Sequence, residues 1–530
     1  MSQTARQTSL FRSTAVMTLG TLLSRITGVG RTIALAYALG LFPLADAYNQ
    51  ANQTPTMLYE LVVGGILSAT LIPVFVRQFR TDEDEGWKAV SAVLTIVLAA
   101  VGLLSVLVAL GAGNIIDFYL AKRHGALAAD QKAVATFLLR LFAAQVALYG
   151  FISVATALLN VRRRFGPPMF APIFNNLVLI CLFVALPRFF NNLHEVNVTD
   201  DRVLLTILGI GTTAGVAAMA LVLVPFVRTE SKGRLRLHWE PKHSAVRAVI
   251  KLSGWTAGFV VANQICLAVN LVLAGSHVGD TTAMLTSYTF FILPHGIYAV
   301  SVMSALQPAL AEAWADSNIA LYRKRFVEGV RLILFAIVPA AVGYVLLTSE
   351  IVQAVLLRGS FDAAAASRTT DVLALMVIGL PGFSLFIYCS RALQAITDAK
   401  AVFWLYVLEN AVNIALAVVL YQSLGVQGLA LAQSIAYLIG AAAAIGVVRN
   451  RSQGLQLRNL LDGTARIVAA TIPMAAVVYF TKAYVNLAPA FTLVIAVVLG
   501  ALTYAVAAWL CRIPEFRQFT KRFSNVWKSR

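Results

Sequence analysis

About fourteen stretches of roughly 20 apolar residues, parted by short polar connections, run the length of this chain. A hydrocarbon core about 30 Å thick is crossed by about 20 residues of α-helix. Lipid offers no hydrogen bonds to a free backbone, so each stretch predicts a spanning helix. The windows lie near 13–39, 47–76, 88–112, 133–160, 169–187, 203–227, 247–275, 283–312, 327–347, 370–393, 401–421, 426–448, 465–485 and 489–511. Composition agrees: of 530 residues, 59% are hydrophobic and 12% charged, where a soluble chain carries about a quarter charged. The expected fold class is an all-α polytopic membrane protein with about 14 transmembrane helices. The first apolar segment is too long for a signal core, so no cleavable signal is expected.

The net charge of +18 would suit a nucleic-acid binder, but its distribution sets topology instead. The even-numbered connections and both tails hold about 30 of the 42 Lys and Arg, and the opposite loops about eight. The basic side includes Arg6 and Arg12, Arg162-Arg163-Arg164, the run from Arg228 to Lys251, Arg323-Lys324-Arg325 and the tail from Arg512. This asymmetry places both termini in the cytoplasm. The same charges would attract anionic membrane lipids, and no nucleic acid is needed to explain them.

The chain also contains itself twice. Phe174-Asn175-Asn176-Leu177-Val178 resembles Leu408-Glu409-Asn410-Ala411-Val412, and Pro73 meets Pro308 at nearly the same offset. Six spans separate the copies, which predicts two parallel six-helix lobes. The expected domains are 1–230, 231–460, and 461–530 with two further apolar helices and a basic tail. Two such lobes around a central cavity suit an alternating-access transporter.

Arg25 and Arg31 stand inside the first apolar stretch. One arginine at the centre of a spanning helix costs about 2.5–3.5 kcal/mol, so the pair should face a wet cavity or an anionic partner. On a straight helix they lie about 9 Å apart along the axis and about 120° apart around it. Gly28 and Gly30 between them would allow a bend into one cavity, or close approach of another backbone. Guanidinium offers forked donors that match phosphate oxygens.

The run Ser24-Arg25-Ile26-Thr27-Gly28-Val29-Gly30-Arg31, followed by Ala45-Asp46-Ala47-Tyr48, resembles the start of the MviN/MurJ family of lipid II flippases. Pro73, the Asn160-to-Pro172 turn and Leu293-Pro294-His295-Gly296 extend the likeness in order. The resemblance implies a multidrug/oligosaccharidyl-lipid/polysaccharide exporter fold in the bacterial inner membrane. It also implies movement of undecaprenyl-pyrophosphate-linked muropeptide (lipid II) to the outer leaflet. By motif it carries the cavity arginines to Arg25 and Arg31, with Asp46 as acidic partner. Thr32, Tyr59-Glu60 and Thr289-Phe290-Phe291 stand where many members carry an acid or arginines, so this cavity has fewer cations.

Four positions make up the expected substrate-binding set: Arg25, Arg31, Asp46 and Glu60, the last an acid deep in the second span. Asp46 fits an N-terminal cap for that span equally well. Glu409 and Asn413 share a helix face at i and i+4. With Asn270 they form the expected ion-coupling set, suited to a monovalent cation or a proton, against plain interhelical hydrogen bonding. Arg140 is expected to snorkel or pair. The six histidines are dispersed, the four cysteines lack metal or disulfide spacing, and no Walker loop, zinc pair or nucleophile elbow occurs. The chain is therefore expected to be a transporter with no cofactor, driven by an ion gradient, the membrane potential or a substrate gradient. Rival readings are an exporter of another polyprenyl-linked oligosaccharide, a cation-coupled small-molecule exporter, and a membrane scaffold for cell-wall synthesis proteins.

Overall fold

The computed structural model describes residues 3–61, 68–123, 126–190, 193, 201–252, 254–455, 457–485 and 487–517, without the side chains of 3–18, 68–70, 126–127, 252, 256 and 457. The middle of the second predicted span, the side chains of Arg6 and Arg12, His124, His194 and the basic tail beyond 517 lie outside the described residues. All regular structure among the described residues is helical. Among the described residues, eleven helices are long and apolar enough to cross a membrane, or up to 12 when one bent pair is counted as a span.

Contacts divide the chain into two units, the first running to Thr282 and including Gly359–Phe361, the second holding Ala283–Arg358 and Asp362 onward. The first contains α1 (Gln3–Leu39), α2 (Pro43–Glu60), α3 (Ser68–Thr81), α4 (Glu83–Tyr119), α5 (Ala126–Phe142), α6 (Ala144–Val161), α7 (Gly166–Phe189), α8 (Arg202–Ser231), α9 (Ser244–Leu252) and α10 (Gly254–Ala274). Next come α11 (Asp280–Pro294), α12 (Val300–Ala315), α13 (Ile319–Leu346), α14 (Thr348–Leu356) and α15 (Ala363–Ile378). The last five are α16 (Leu380–Ala395), α17 (Ala399–Leu424), α18 (Val426–Arg451), α19 (Leu457–Tyr484) and α20 (Pro489–Leu510).

Helix ends follow local chemistry. Asp82 caps α4 by accepting from Asp84 N–H at 2.9 Å, and Asp398 caps α17 by accepting from Ala401 N–H at 3.1 Å. Pro294 closes α11 and is followed by a π turn over His295–Ala299, so the eighth predicted span is interrupted where proline removes a helical donor. The tenth predicted span is the bent pair, α15 and α16, which meet at 47° around Gly379 and Pro381.

In the first unit, α1 packs along α7, α2 on α5, and α4 on α6, over an apolar core that includes Phe75, Trp87, Leu158 and Leu223. In the second, α17 packs on α18 and α13 on α19, with α20 against α19 and α14. Leu110, Ile472, Phe491 and Leu502 stand exposed on the outer faces. Side chains of that kind need lipid around them.

The sequence repeat has a packing counterpart in each unit. On α7, Asn175 lies so close to Gly215 of α8 that a Cβ there would fall 2.5 Å from the Asn175 amide oxygen. On α17, Glu409 packs against Gly440 of α18, where a Cβ would fall 3.1 Å from its Cγ. In both, the residue before the repeated asparagine lies on a glycine of the next helix, since only a bare Cα leaves room for it.

Candidate functional site

α1 runs as one continuous helix through Gly28 and Gly30, and its glycines serve helix packing. A Cβ at Gly20 would come 2.8 Å from Met169 of α7, and one at Gly30 would come 3.3 Å from Ile180. The Asn176 amide of α7 fixes the register by donating to Ser24 C=O at 3.2 Å and Thr27 Oγ1 at 3.0 Å. Arg25 sits between those two acceptors in sequence, so the repeat asparagine holds the turn that carries it.

Arg25 and Arg31 are half-buried, and neither has an ion-pair partner among the described residues. The Arg25 Nε is buried without a hydrogen-bond acceptor. Arg31 lies within electrostatic reach of Tyr48 and Tyr149. Tyr149 of α6 packs against Tyr59 of α2 with ring centroids 4.4 Å apart and the rings tilted by 37°, and Glu60 acts on both tyrosines. Arg31 and Glu60 thus share the surroundings of Tyr149 without forming a salt bridge. Tyr48 is fixed by edge contacts with Phe142 and Phe183 and accepts from the Thr212 hydroxyl at 3.3 Å.

Asp46 is fully buried in a different arrangement. Its Oδ2 accepts from Gly279 N–H at 2.6 Å, and its Oδ1 accepts from Thr282 N–H at 3.0 Å and Thr282 Oγ1 at 2.7 Å. The first turn of a helix has unpaired N–H groups and a positive dipole end, which a carboxylate satisfies. Asp46 therefore caps α11 and not α2, whose N-cap is Phe42 without a side-chain bond. Asn49 donates to Thr282 Oγ1 at 3.0 Å, Gln50 to Thr281 Oγ1 at 3.2 Å, and Gln131 to Gln50 at 3.1 Å.

Arg123, to which no motif points, lies within electrostatic reach of this cluster. Partial burial lowers its pKa, and the Asp46 charge opposes that shift. One of its terminal nitrogens is buried without a partner. Nothing in the spacing of the sequence signals that Arg123 comes within electrostatic reach of Asp46.

The remaining residues fall in separate units. Asn270, in the first, is buried with its amide oxygen unpartnered and its nitrogen near Cys266 Sγ at 3.8 Å. Glu409 and Asn413, in the second, are buried one turn apart on α17, and the Asn413 amide oxygen has no partner. Glu409 has no ion pair among the described residues, and Tyr406 lies within reach of both Glu409 and Arg391. Arg140 is exposed on α5 and unpaired among the described residues. Among the same residues, no group of three His, Cys, Asp or Glu side chains could hold a metal ion.

A family model described as lipid II flippase MurJ matches residues 35–500. The probable lipid II flippase MurJ of Thermotoga maritima is 27% identical over 436 residues, covering 82% of this chain and 84% of that protein. Its counterpart in Rhizobium meliloti is 25% identical, covering 89% and 86%. Among solved structures, a lipid II flippase MurJ in an inward closed conformation aligns with TM-score 0.78 at 22% identity, over 94% of this chain and 98% of that one. An inward-facing multidrug resistance MATE family transporter of the MOP superfamily aligns with TM-score 0.66 at 12% identity, over 82% and 98%. At these identities the two structures speak for the fold alone.

Proposed function

The chain belongs to the lipid II flippase MurJ family, and from that premise we propose that it moves lipid II from the inner to the outer leaflet of the bacterial cytoplasmic membrane by alternating access. The observation that carries this reading is the state of Arg25 and Arg31. Both are half-buried in an apolar helix, and neither has a carboxylate partner among the described residues. A guanidinium left unpaired at membrane depth costs about 2.5–3.5 kcal/mol, and an arriving pyrophosphate would remove that cost with bidentate hydrogen bonds. Glu60 and Tyr149 beside Arg31 would meet the neutral and cationic parts of the headgroup, while the polyprenyl tail stays in lipid.

Fourteen spans with both termini cytoplasmic complete the proposal. The 11 or 12 apolar helices leave out α1, interrupted by its arginines, and α2 with α3, which flank residues 62–67. Counting these brings the number to fourteen, and the proposed lobes are 1–230 and 231–460, with 461–530 appended. Coupling to a proton, a monovalent cation or the membrane potential is assigned to the buried Glu409 and Asn413, one turn apart on α17. Asp46, with its side-chain bonds made to Gly279 and to Thr282 at the start of α11, acts in this reading as a clamp on that helix end.

A second reading, export of another polyprenyl-linked oligosaccharide, draws on Tyr59 and Glu60, which give this site fewer cations near Arg31. Depleting the protein and identifying the lipid-linked precursor that accumulates in the inner leaflet tests both. Accumulation of lipid II supports the first, and accumulation of a different glycan lipid with normal lipid II transport overturns it.

A further inference from the structure

Between α8 and α9 the chain leaves regular structure and lies along α4. Arg236 N–H donates to Ser91 Oγ at 3.2 Å and His238 N–H donates to Thr95 Oγ1 at 2.8 Å. Ser91 and Thr95 are one turn apart, so the segment between these bonds follows the helix axis. They stand about 12 and 18 Å along α4 from Glu83. Lys88 is the last charge at that end, and none follows until Asp117. The segment is thereby held at the level where α4 passes from its charged end into its apolar run.

At that level it shows the wrong side chains for water. Leu237 is 74% exposed and Trp239 65%, while Leu235 turns into the apolar core. The short helix α9 repeats the pattern: it buries Ala245, Val246 and Val249 and leaves Ile250 69% exposed beside Arg247 and Lys251. Exposed cations surround these apolar groups. Arg234 is taken by Glu83 and Asp84, and Glu240 faces His238 at 3.5 Å. Arg236, Lys242 and Lys251 have no ion pair among the described residues.

We propose that residues 232–251 form a docking surface for anionic phospholipid headgroups of the surrounding bilayer. Leu237 and Trp239 enter the acyl boundary, where an indole is favoured. Arg236, Lys242, Arg247 and Lys251 hold the lipid phosphates, each contributing about fivefold in affinity for an anionic surface. Charge complementarity selects the occupant: a zwitterionic bilayer satisfies the apolar groups but brings no net negative charge to the four cations. The proposal does not depend on which molecule the chain transports.

The full-length protein, with its four native cysteines replaced, is placed in nanodiscs of phosphatidylcholine alone or with phosphatidylglycerol. A nitroxide is attached through Trp239→Cys and, in a separate variant, Leu237→Cys. In the anionic discs both labels should collide with oxygen and be shielded from an aqueous nickel complex. Spin-labelled phosphatidylglycerol should be bound in preference to phosphatidylcholine. Replacing Arg236, Lys242, Arg247 and Lys251 together by Gln should cut that preference by about tenfold or more while the protein remains folded by size-exclusion chromatography. Labels freely reached by nickel, as expected if an acidic protein were the true occupant, overturn the proposal. So does an unchanged lipid preference in the four-fold Gln variant.

Discussion

Asp46 takes both donors of Thr282, the backbone N–H at 3.0 Å and the hydroxyl at 2.7 Å, and so fastens α2 to the first turn of α11. The bonds are charge-assisted and fully buried, where losing one partner exposes the desolvation cost of the other. Asp46→Ala should therefore destabilise the protein by about 3 kcal/mol or more, because two backbone amides and a hydroxyl lose their acceptor. Thr282→Val keeps the amide bond and should cost about 1 kcal/mol. Thermal unfolding in detergent measures both, and an Asp46→Ala variant melting with the parent would show that the clamp contributes nothing.

Asn176 is the second tie with a measurable consequence. Its amide bridges Ser24 C=O and Thr27 Oγ1 across the α1–α7 contact. Asn176→Leu keeps the branched shape and loses both bonds, at an expected cost of about 1–2 kcal/mol. Since those acceptors flank Arg25, transport should fall by more than the loss of folded protein explains. Equal losses in the two assays would reduce Asn176 to a packing residue.

The parts of this molecule that could be read from sequence are those with local causes. Apolar windows found the spans because hydropathy reports lipid exposure, but α4 outruns its window at both ends, since Asp82 caps it and charged residues extend its first turn. The seventh apolar window merges part of α9 with α10, and three small or branched side chains docking on α3 and α4 set α9 apart as a nine-residue helix. Gly28 and Gly30 were legible as a weak point, yet whether they bend α1 or seat it on α7 depends on Asn176 and Ile180, about 150 residues away. Asp46 was legible as important from its motif and as a cap from its residue type. That it caps α11 is a contact 233 residues away in sequence, and Arg123 joined it without any local sign.

Topology can be checked by chemistry at two exposed positions, Thr229 at the end of α8 and His277 between α10 and α11. With the native cysteines removed, Thr229→Cys and His277→Cys should react with an impermeant thiol reagent from opposite faces. His277→Cys should be reached from outside intact cells, and Thr229→Cys only after permeabilisation. Labelling of both from outside would reverse or break the proposed orientation.

Arg25→Ala and Arg31→Ala should each abolish transport while leaving the protein in the membrane. Neither arginine is part of an ion pair among the described residues, so removing one frees no buried carboxylate and should not harm folding. Lysine keeps the charge but not the planar fork, so Arg25→Lys and Arg31→Lys should recover only part of the rate. Parental flipping by both alanine variants would show that the arginines do not meet the substrate.

Glu409 offers the sharpest test of coupling. The proposed transporter needs a ligand that binds its two states with different affinity, because a ligand of equal affinity shifts nothing. Glu409 is buried on α17, without an ion pair among the described residues and one turn from the unpartnered amide oxygen of Asn413. Its repeat partner on α7 is Asn175, which carries no charge, so any charge-dependent step at this position belongs to one copy of the repeat. A proton or monovalent cation arriving there would neutralise the carboxylate and remove the cost of burying its charge. The state that buries Glu409 most deeply would then gain population. Glu409→Gln mimics the neutral form permanently: it should keep the fold and the lipid-binding affinity, slow the return to the starting state, and flatten the dependence of transport on pH or on the cation gradient. Asn413→Leu, which removes the neighbouring oxygen but leaves the acid, should weaken a cation dependence while sparing a proton dependence, and so separates the two couplings. Transport by Glu409→Gln at the parental rate, with the parental gradient dependence, would leave Glu409 as a polar packing group against Gly440.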